Sequence, residues 1–129
     1  MRTTLSGIRY AKACVNNMNG VILLPDDWNS SQYTLFSTDT FNADFVTNTI
    51  SEAVWNRDLA PYGCVFLPCS GHRAYTSVYN IGTYGGYWSS SYYDNTHAYD
   101  VNFDSSNLRP QGFHERCVGY AVRLVRNAE

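Results

Sequence analysis

No lysine follows Lys12 in this chain of 129 residues, and no run of basic residues occurs anywhere. With a formal net charge of -2, the sequence has no electrostatic footprint for the phosphates of nucleic acid. Its longest apolar stretch, Val21-Ile22-Leu23-Leu24, is far short of the ~20 residues that cross a membrane, so membrane insertion is not expected. The start lacks a charged-then-apolar leader pattern, and nothing marks the chain for export. No C-x-x-C pair is present, which argues against a zinc knuckle. No G-x-S-x-G elbow is present either, and the Ser, His and Asp residues form no recognised nucleophile motif. Internal repeats and low-complexity tracts are missing.

What the chain has in excess is tyrosine, unevenly placed. Eight of the eleven tyrosines follow residue 70, at Tyr75, Tyr79, Tyr84, Tyr87, Tyr92, Tyr93, Tyr99 and Tyr120, among Asn, Ser, Asp, Thr, His and Gly. Antibody binding loops share this composition: tyrosine offers broad amphipathic contact with few torsions to freeze, and the small polar residues add adaptable hydrogen bonds. It points to recognition rather than chemistry. With 44% hydrophobic and 16% charged residues, the chain is expected to fold as one domain over residues 1–129 with a real core.

Residues 8–25 read as a hairpin, with Asn19-Gly20 supplying the positive φ of the turn and Pro25 closing the second strand. Residues 29–46 read as a long ordered loop anchored by Phe36, Phe41 and Phe45. Thr49 and Glu52 form a capping box for one helix over 50–59, in which Ile50, Ala53, Val54 and Arg57 share a face and which Pro61 and Gly63 end. Residues 63–68 and 86–91 read as short strands, and 97–104 and 118–125 as alternating ones. In 97–104 the alternation sets Tyr99, Val101 and Phe103 on one side and Ala98, Asp100, Asn102 and Asp104 on the other. Residues 70–85, 92–96 and 105–117 are left as loops. The sum is an α+β fold of small twisted antiparallel sheets, one clear helix and a loop-rich face.

Cys14, Cys64, Cys69 and Cys117 permit three disulfide pairings, but a chain of this size does not need staples, and free thiols are expected. His72, His97 and His114 lack ligand spacing, so no metal and no cofactor is expected. Asp26 and Asp27 read as a turn cap and a solvated carboxylate before Trp28. Trp28, Trp55 and Trp88 sit beside apolar runs and read as framework.

Several segments are similar to a known family: residues 19–28 (NGVILLPDDW), Val65-Phe66-Leu67-Pro68 with Gly71 and Arg73, Gly86-Tyr87-Trp88-Ser89-Ser90-Ser91, Ala98-Tyr99, Phe103, and residues 119–125 (GYAVRLV). Over roughly 19–125 the chain resembles the Fibrobacter-type major paralogous domain, some members of which are variable proteins of diversity-generating retroelements. The resemblance implies a C-type-lectin-like fold, a variable region of about 72–117, and framework roles for Tyr87, Tyr99 and Tyr120, with Arg73 and Arg123 holding loops by forked hydrogen bonds. Members carry more chain before the first hairpin, so this N-terminus is expected to be truncated or divergent. The Glu-Pro-Asn and Gln-Pro-Asp tripeptides of calcium-dependent sugar-binding lectins are missing. Adenine randomisation of an Asn codon never yields Lys, Glu, Trp or Met. The stretch from His72 to His114 contains no Lys, Glu or Met, and its one Trp is Trp88.

The residues left without a framework role form the expected ligand-binding set: His72, Tyr75, Ser77, Tyr79, Tyr84, Tyr92, Tyr93, Asp94, Asn95, His97, Asp100, Asn102, Asp104, Gln111, Phe113 and His114. His97, Asp100 and Asn102 are expected to form an outward strip flanked by tyrosines. The expected function is non-catalytic recognition of a protein or cell-surface ligand, at a phage tip or on a bacterial surface. Two alternatives are a formylglycine-generating-type oxidase using Cys64, Cys69 or Cys117, and a fixed adhesin or pilus-associated domain of the same fold.

Overall fold

The computed structural model describes residues 9–123. Strands β1 (Tyr10–Val15) and β2 (Met18–Leu23) form the first hairpin, with Tyr10 opposite Leu23 and Val15 opposite Met18. Its turn is Asn16-Asn17, at φ 49 and 64°, not Asn19-Gly20. Asparagine tolerates the left-handed region, and Gly20 is needed elsewhere. A Cβ there would lie 2.4 Å from the Leu67 carbonyl oxygen and 2.6 Å from the Phe66 ring, so Gly20 lets β4 (Val65–Pro68) close onto β2. The two residues of β3 (Thr49–Ile50) run parallel beside β1, giving a sheet of order β3-β1-β2-β4.

The helix begins later than its sequence suggests. Thr49 and Ile50 are held in β3, and Ser51 caps instead, its hydroxyl accepting from the Val54 N–H at 3.2 Å. One α-turn (α1, Glu52–Val54) passes into a π-helical stretch over Trp55–Leu59 and a 3-10 turn over Ala60–Tyr62. Pro61 lies inside that last turn, and Gly63 follows it. Leu59 and Ile50 are buried, whereas Ala53 and Arg57 face solvent, because the widened turn rotates the expected apolar face.

Only one of the three phenylalanines anchors the long loop. Phe45 is buried, while Phe36 and Phe41 are 61% and 56% exposed. Polar groups hold the loop by its main chain. Buried Asn48 donates to the Lys12 and Phe36 carbonyls, each at 2.9 Å, and accepts from the Phe36 N–H at 2.8 Å. The Asp39 carboxylate accepts from the Tyr10 N–H at 2.9 Å. Lys12, 0% exposed in the middle of β1, donates its ammonium to the carbonyls of Phe41 and Asp104.

The second half is richer in strand than expected. Residues 70–85 contain a small hairpin, β5 (His72–Ala74) with β6 (Ser77–Tyr79). Strands β7 (Gly85–Tyr92), β8 (His97–Phe103) and β9 (Leu108–Glu115) form an antiparallel sheet, so most of the expected 105–117 loop is strand. The expected 118–125 strand is reduced to bridges pairing Gly119 with Arg73 and Ala121 with Tyr87; Leu124 and Val125 lie outside the described residues. The fold is mixed α+β, of small sheets with one short helix.

The core has two parts. Trp28, Ile22, Val15, Ile50 and Leu59 pack with half-buried Trp55 beside the helix. Phe103 and Tyr87 from the second sheet pack with Tyr10, Val21, Phe45 and Leu67 from the first sheet and its loop. The Tyr87 hydroxyl also donates to the Pro68 carbonyl at 2.8 Å. All four cysteines are free thiols, Cys64 and Cys69 buried and Cys117 exposed.

Burial pushes the Cys64 thiol up from 9.0 to about 11. It pushes Cys69 to about 12 even though the Lys12 ammonium acts the other way. Both thiols stay protonated in the folded protein at pH values where the unfolded chain ionises. Their contribution to stability is therefore intact below pH 9 and is lost as the pH climbs through 11 and 12. Buried Tyr10 and Tyr87 and half-buried Tyr84 and Tyr120, all raised from 10.0 chiefly by burial, act in the same direction. Lys12, lowered from 10.5 chiefly by burial, opposes them. The thermal midpoint should stay level from neutral pH to about 9 and then fall. A Cys64→Ala/Cys69→Ala variant should fall less steeply, and an equally steep decline in that variant would refute the assignment.

Candidate functional site

Two aromatic assemblies occupy the β7-β8-β9 sheet and its borders. The first sits at the tip where β7 turns into β8. Tyr93 stacks on Phe113 of β9 with ring centres 4.6 Å apart and planes at 4°. It also meets Tyr99 of β8 edge-on at 4.9 Å, while His97 packs against Tyr93 and Phe113 at 6.0 and 5.9 Å. The register explains the meeting, because Tyr99 lies opposite Phe113 across the β8–β9 pair. Tyr92 lies under the Arg116 guanidinium at 5.4 Å, and its hydroxyl donates to Asn95 at 3.0 Å.

Asp94 ties this tip together. Its carboxylate accepts from the Thr96 N–H at 2.8 Å and the His97 N–H at 2.6 Å, and Arg116 donates to its carbonyl at 2.8 Å. Burial alone would raise the Asp94 carboxyl, but the N–H groups of Thr96 and His97 outweigh it and hold the group down at about 2.

The second assembly is built inward. His72 of β5 stacks on Tyr79 of β6 at 5.7 Å and meets Tyr84 edge-on at 5.5 Å. Tyr120 completes the group: its hydroxyl is 2.8 Å from that of Tyr84, and its ring touches Trp88 at 4.9 Å and His114 at 5.2 Å. Burial raises both tyrosines, so the hydroxyl pair stays neutral.

Asp100 and Asn102 do not form an outward strip with His97. Asp100 is 0% exposed and Asn102 is buried beside it. The cause is strand parity: Asp100 and Asn102 share the inward face of β8, whereas His97, an odd number of residues away, lies on the other face with Tyr99. The bulge is in β9, where Arg109 to Gly112 span Asn102 to Asp100. Gly112 makes the space, since a Cβ there would come within 2.3 Å of the Asn102 amide and 2.7 Å of the Asp100 carboxylate. The buried carboxylate accepts from the Asn102 amide at 2.6 Å and lies 2.7 Å from His114 Nδ1. A carboxylate at that distance fixes the proton on Nδ1 and leaves Nε2 as the outward nitrogen of half-buried His114.

The remaining candidates scatter. Tyr75, 98% exposed at φ 53°, projects from the β5–β6 turn with no ring contact to either assembly, and exposed Ser77 follows it. Gln111 is exposed on β9. Asp104 serves the fold, accepting from the Ser106 and Asn107 N–H groups at 2.7 and 2.9 Å. Among the described residues neither Arg73 nor Arg123 makes the expected forked side-chain hydrogen bonds; Arg73 joins Gly119 through its main chain, at 2.8 Å in both directions. Tyr99, Tyr120 and Trp88, read as framework, turn out to be members of the assemblies. The period-2 spacing of Tyr99 from His97 was the one signal that could have placed it at the tip. A cleft of about 320 Å³ opens between Gly71-His72-Arg73 and Gly119-Tyr120-Ala121.

The family described as a domain of unknown function (DUF8237) matches residues 28–125. No curated protein and no solved structure matches the chain. The matched span takes in both aromatic assemblies and the cleft, and the protein belongs to the DUF8237 family.

Proposed function

We propose that this domain is a non-catalytic recognition module, with a C-type-lectin-like fold, that presents its tyrosine-rich face to a protein or cell-surface ligand on a phage tip or bacterial surface. The observation that carries this reading is the tip assembly. Tyr92 and Phe113 are more than half exposed, and Tyr93 is stacked between neighbours yet open to solvent. Rigid, exposed, amphipathic rings of this kind are the usual energetic centres of protein interfaces, and ordering them in advance lowers the entropy lost on binding.

The buried thiols favour this reading over an oxidase. A nucleophilic cysteine needs a depressed pKa and access, and Cys64 and Cys69 have neither. Fast labelling of either thiol in native protein would revive the oxidase reading. Diversification is tested in the gene's surroundings. A template copy differing at adenines supports it, and a neighbourhood without a reverse transcriptase or second copy favours the fixed adhesin.

Stability and binding should separate at the tip. Tyr92→Ser with Tyr75→Ser should leave the thermal midpoint within a few degrees, since exposed substitutions cost within ~0.5 kcal/mol each. In an alanine scan against the cognate ligand, Tyr92, Tyr93 and Phe113 should show the largest losses, about 2 kcal/mol or more at the best of them. Losses centred on Cys64, Cys69 or Asp26 would place recognition elsewhere.

A further inference from the structure

The open side of the tip carries charge as well as rings. Tyr99 and Phe113 are opposite each other across β8 and β9, and His97 and Glu115 form the next pair on that side. Alternation puts all four side chains on one face of the sheet, where the rings of Tyr99, Phe113 and His97 all meet Tyr93. Tyr93 covers one face of the Phe113 ring. The residue is still 51% exposed, and β9 is the edge of its sheet, so the other ring face looks out to solvent.

Two carboxylates border that ring. Glu115 is exposed, two residues along the same face of β9, and among the described residues its carboxylate meets only the Cys117 thiol, at 3.5 Å. Asp94 lies against His97, its Oδ1 3.2 Å from Nδ1, and every bond its carboxylate accepts falls on Oδ1. Oδ2 is left open on a side chain 46% exposed, and the group stays ionised at neutral pH. Between Ala74 and Leu108 the sequence has no Lys or Arg, so that stretch offers no cation to offset them. The Arg116 guanidinium is already committed: it lies over Tyr92 at 5.4 Å and donates twice to the Asp94 carbonyl, at 3.2 and 2.8 Å. Two carboxylates outnumber it.

We propose that this face takes the guanidinium of an arginine on the protein ligand, laid on the open Phe113 ring and forked to Glu115, with Asp94 adding negative charge nearby. The negative face of an aromatic ring attracts a cation, and a guanidinium adds a planar stack and a fork that matches a carboxylate. A lysine ammonium has neither. A neutral apolar side chain would use the ring but shield Glu115 from water without a counter-charge. An acidic one would meet two like charges. The inference rests on the recognition reading above and names the chemistry of its partner.

The test is an NMR titration of isotope-labelled protein, followed at the amides of Phe113 and Glu115 and at the His97 ring. The probes are blocked tripeptides with a central arginine, citrulline, lysine or leucine between glycines. The arginine peptide should shift these signals saturably and bind at least about fivefold more tightly than its citrulline twin, which keeps the shape without the charge. Added salt should shrink that gap, and the lysine peptide should fall between the two. Glu115→Gln should bring the arginine peptide down to the citrulline level, and Phe113→Leu should weaken both. Each variant should keep its thermal midpoint within a few degrees of the parent, since both side chains are exposed. Equal binding of the arginine and citrulline peptides, a leucine or lysine peptide that binds more tightly than arginine, or a full arginine response in Glu115→Gln would overturn the proposal and leave the tip as a recognition surface. Silence at Phe113, Glu115 and His97 toward all four peptides would overturn it too, and the alanine scan at Tyr92 and Tyr93 then decides the wider reading on its own.

Discussion

Lys12→Met is expected to destabilise the domain by about 2–4 kcal/mol. The substitution keeps the length of the stem and removes only the ammonium, so the outcome turns on two opposed effects. Relief from desolvating a cation favours the variant, and burial does hold the Lys12 pKa below its usual value. Against this, the carbonyls of Phe41 and Asp104 lose the donor that enclosed Lys12 supplies, at roughly 1–3 kcal/mol each. The second effect should win because both acceptors stay behind. Urea denaturation measures the result, and a variant as stable as the parent would show that the ammonium is not holding the loop and the β8–β9 turn.

Phe103→Ala should cost still more, about 3–5 kcal/mol. Phe103 is buried, its ring lies parallel to that of Tyr87 at 6.3 Å, and its cluster includes Tyr10, Val21 and Leu67 from the other sheet. Truncation opens a cavity at the junction between sheets, where neither can relax without moving the other. Phe103→Leu should recover most of the loss. An alanine variant that unfolds within ~1 kcal/mol of the parent would mean that the two sheets do not depend on this junction.

Strands with one wet and one dry face were legible in the sequence. The first hairpin, β7 and β8 were readable from alternation and short apolar runs, because those patterns record burial directly. Strand β9 was not, because Pro110, Gln111 and Gly112 look like loop chemistry. It is an edge strand, where proline is tolerated, and its glycine serves the Asp100–Asn102 pair rather than a turn. Strand parity defeated the site reading, since Asp100 and Asn102 share the inward face of β8 while His97 lies on the other. The exposure of Tyr75, Tyr92 and Phe113 followed from composition. The Tyr84–Tyr120 hydroxyl pair joins residues 36 apart, and no local pattern encodes such a meeting. The loop anchors were missed for a related reason: Asn48 and Lys12 act on main-chain atoms, which leave no trace in side-chain periodicity.

Lys12 is the only lysine in the sequence, and it is wholly enclosed. An amine-directed reagent can reach it only in molecules that have opened far enough to release the carbonyls of Phe41 and Asp104. The rate at which Lys12 becomes modified is then a clock for opening, read at a single mass-spectrometric peptide without any engineered probe. If the domain displays many different faces on one frame, this clock compares their kinetic stability directly, because the amine it reads lies in β1, away from the tyrosine-rich stretch.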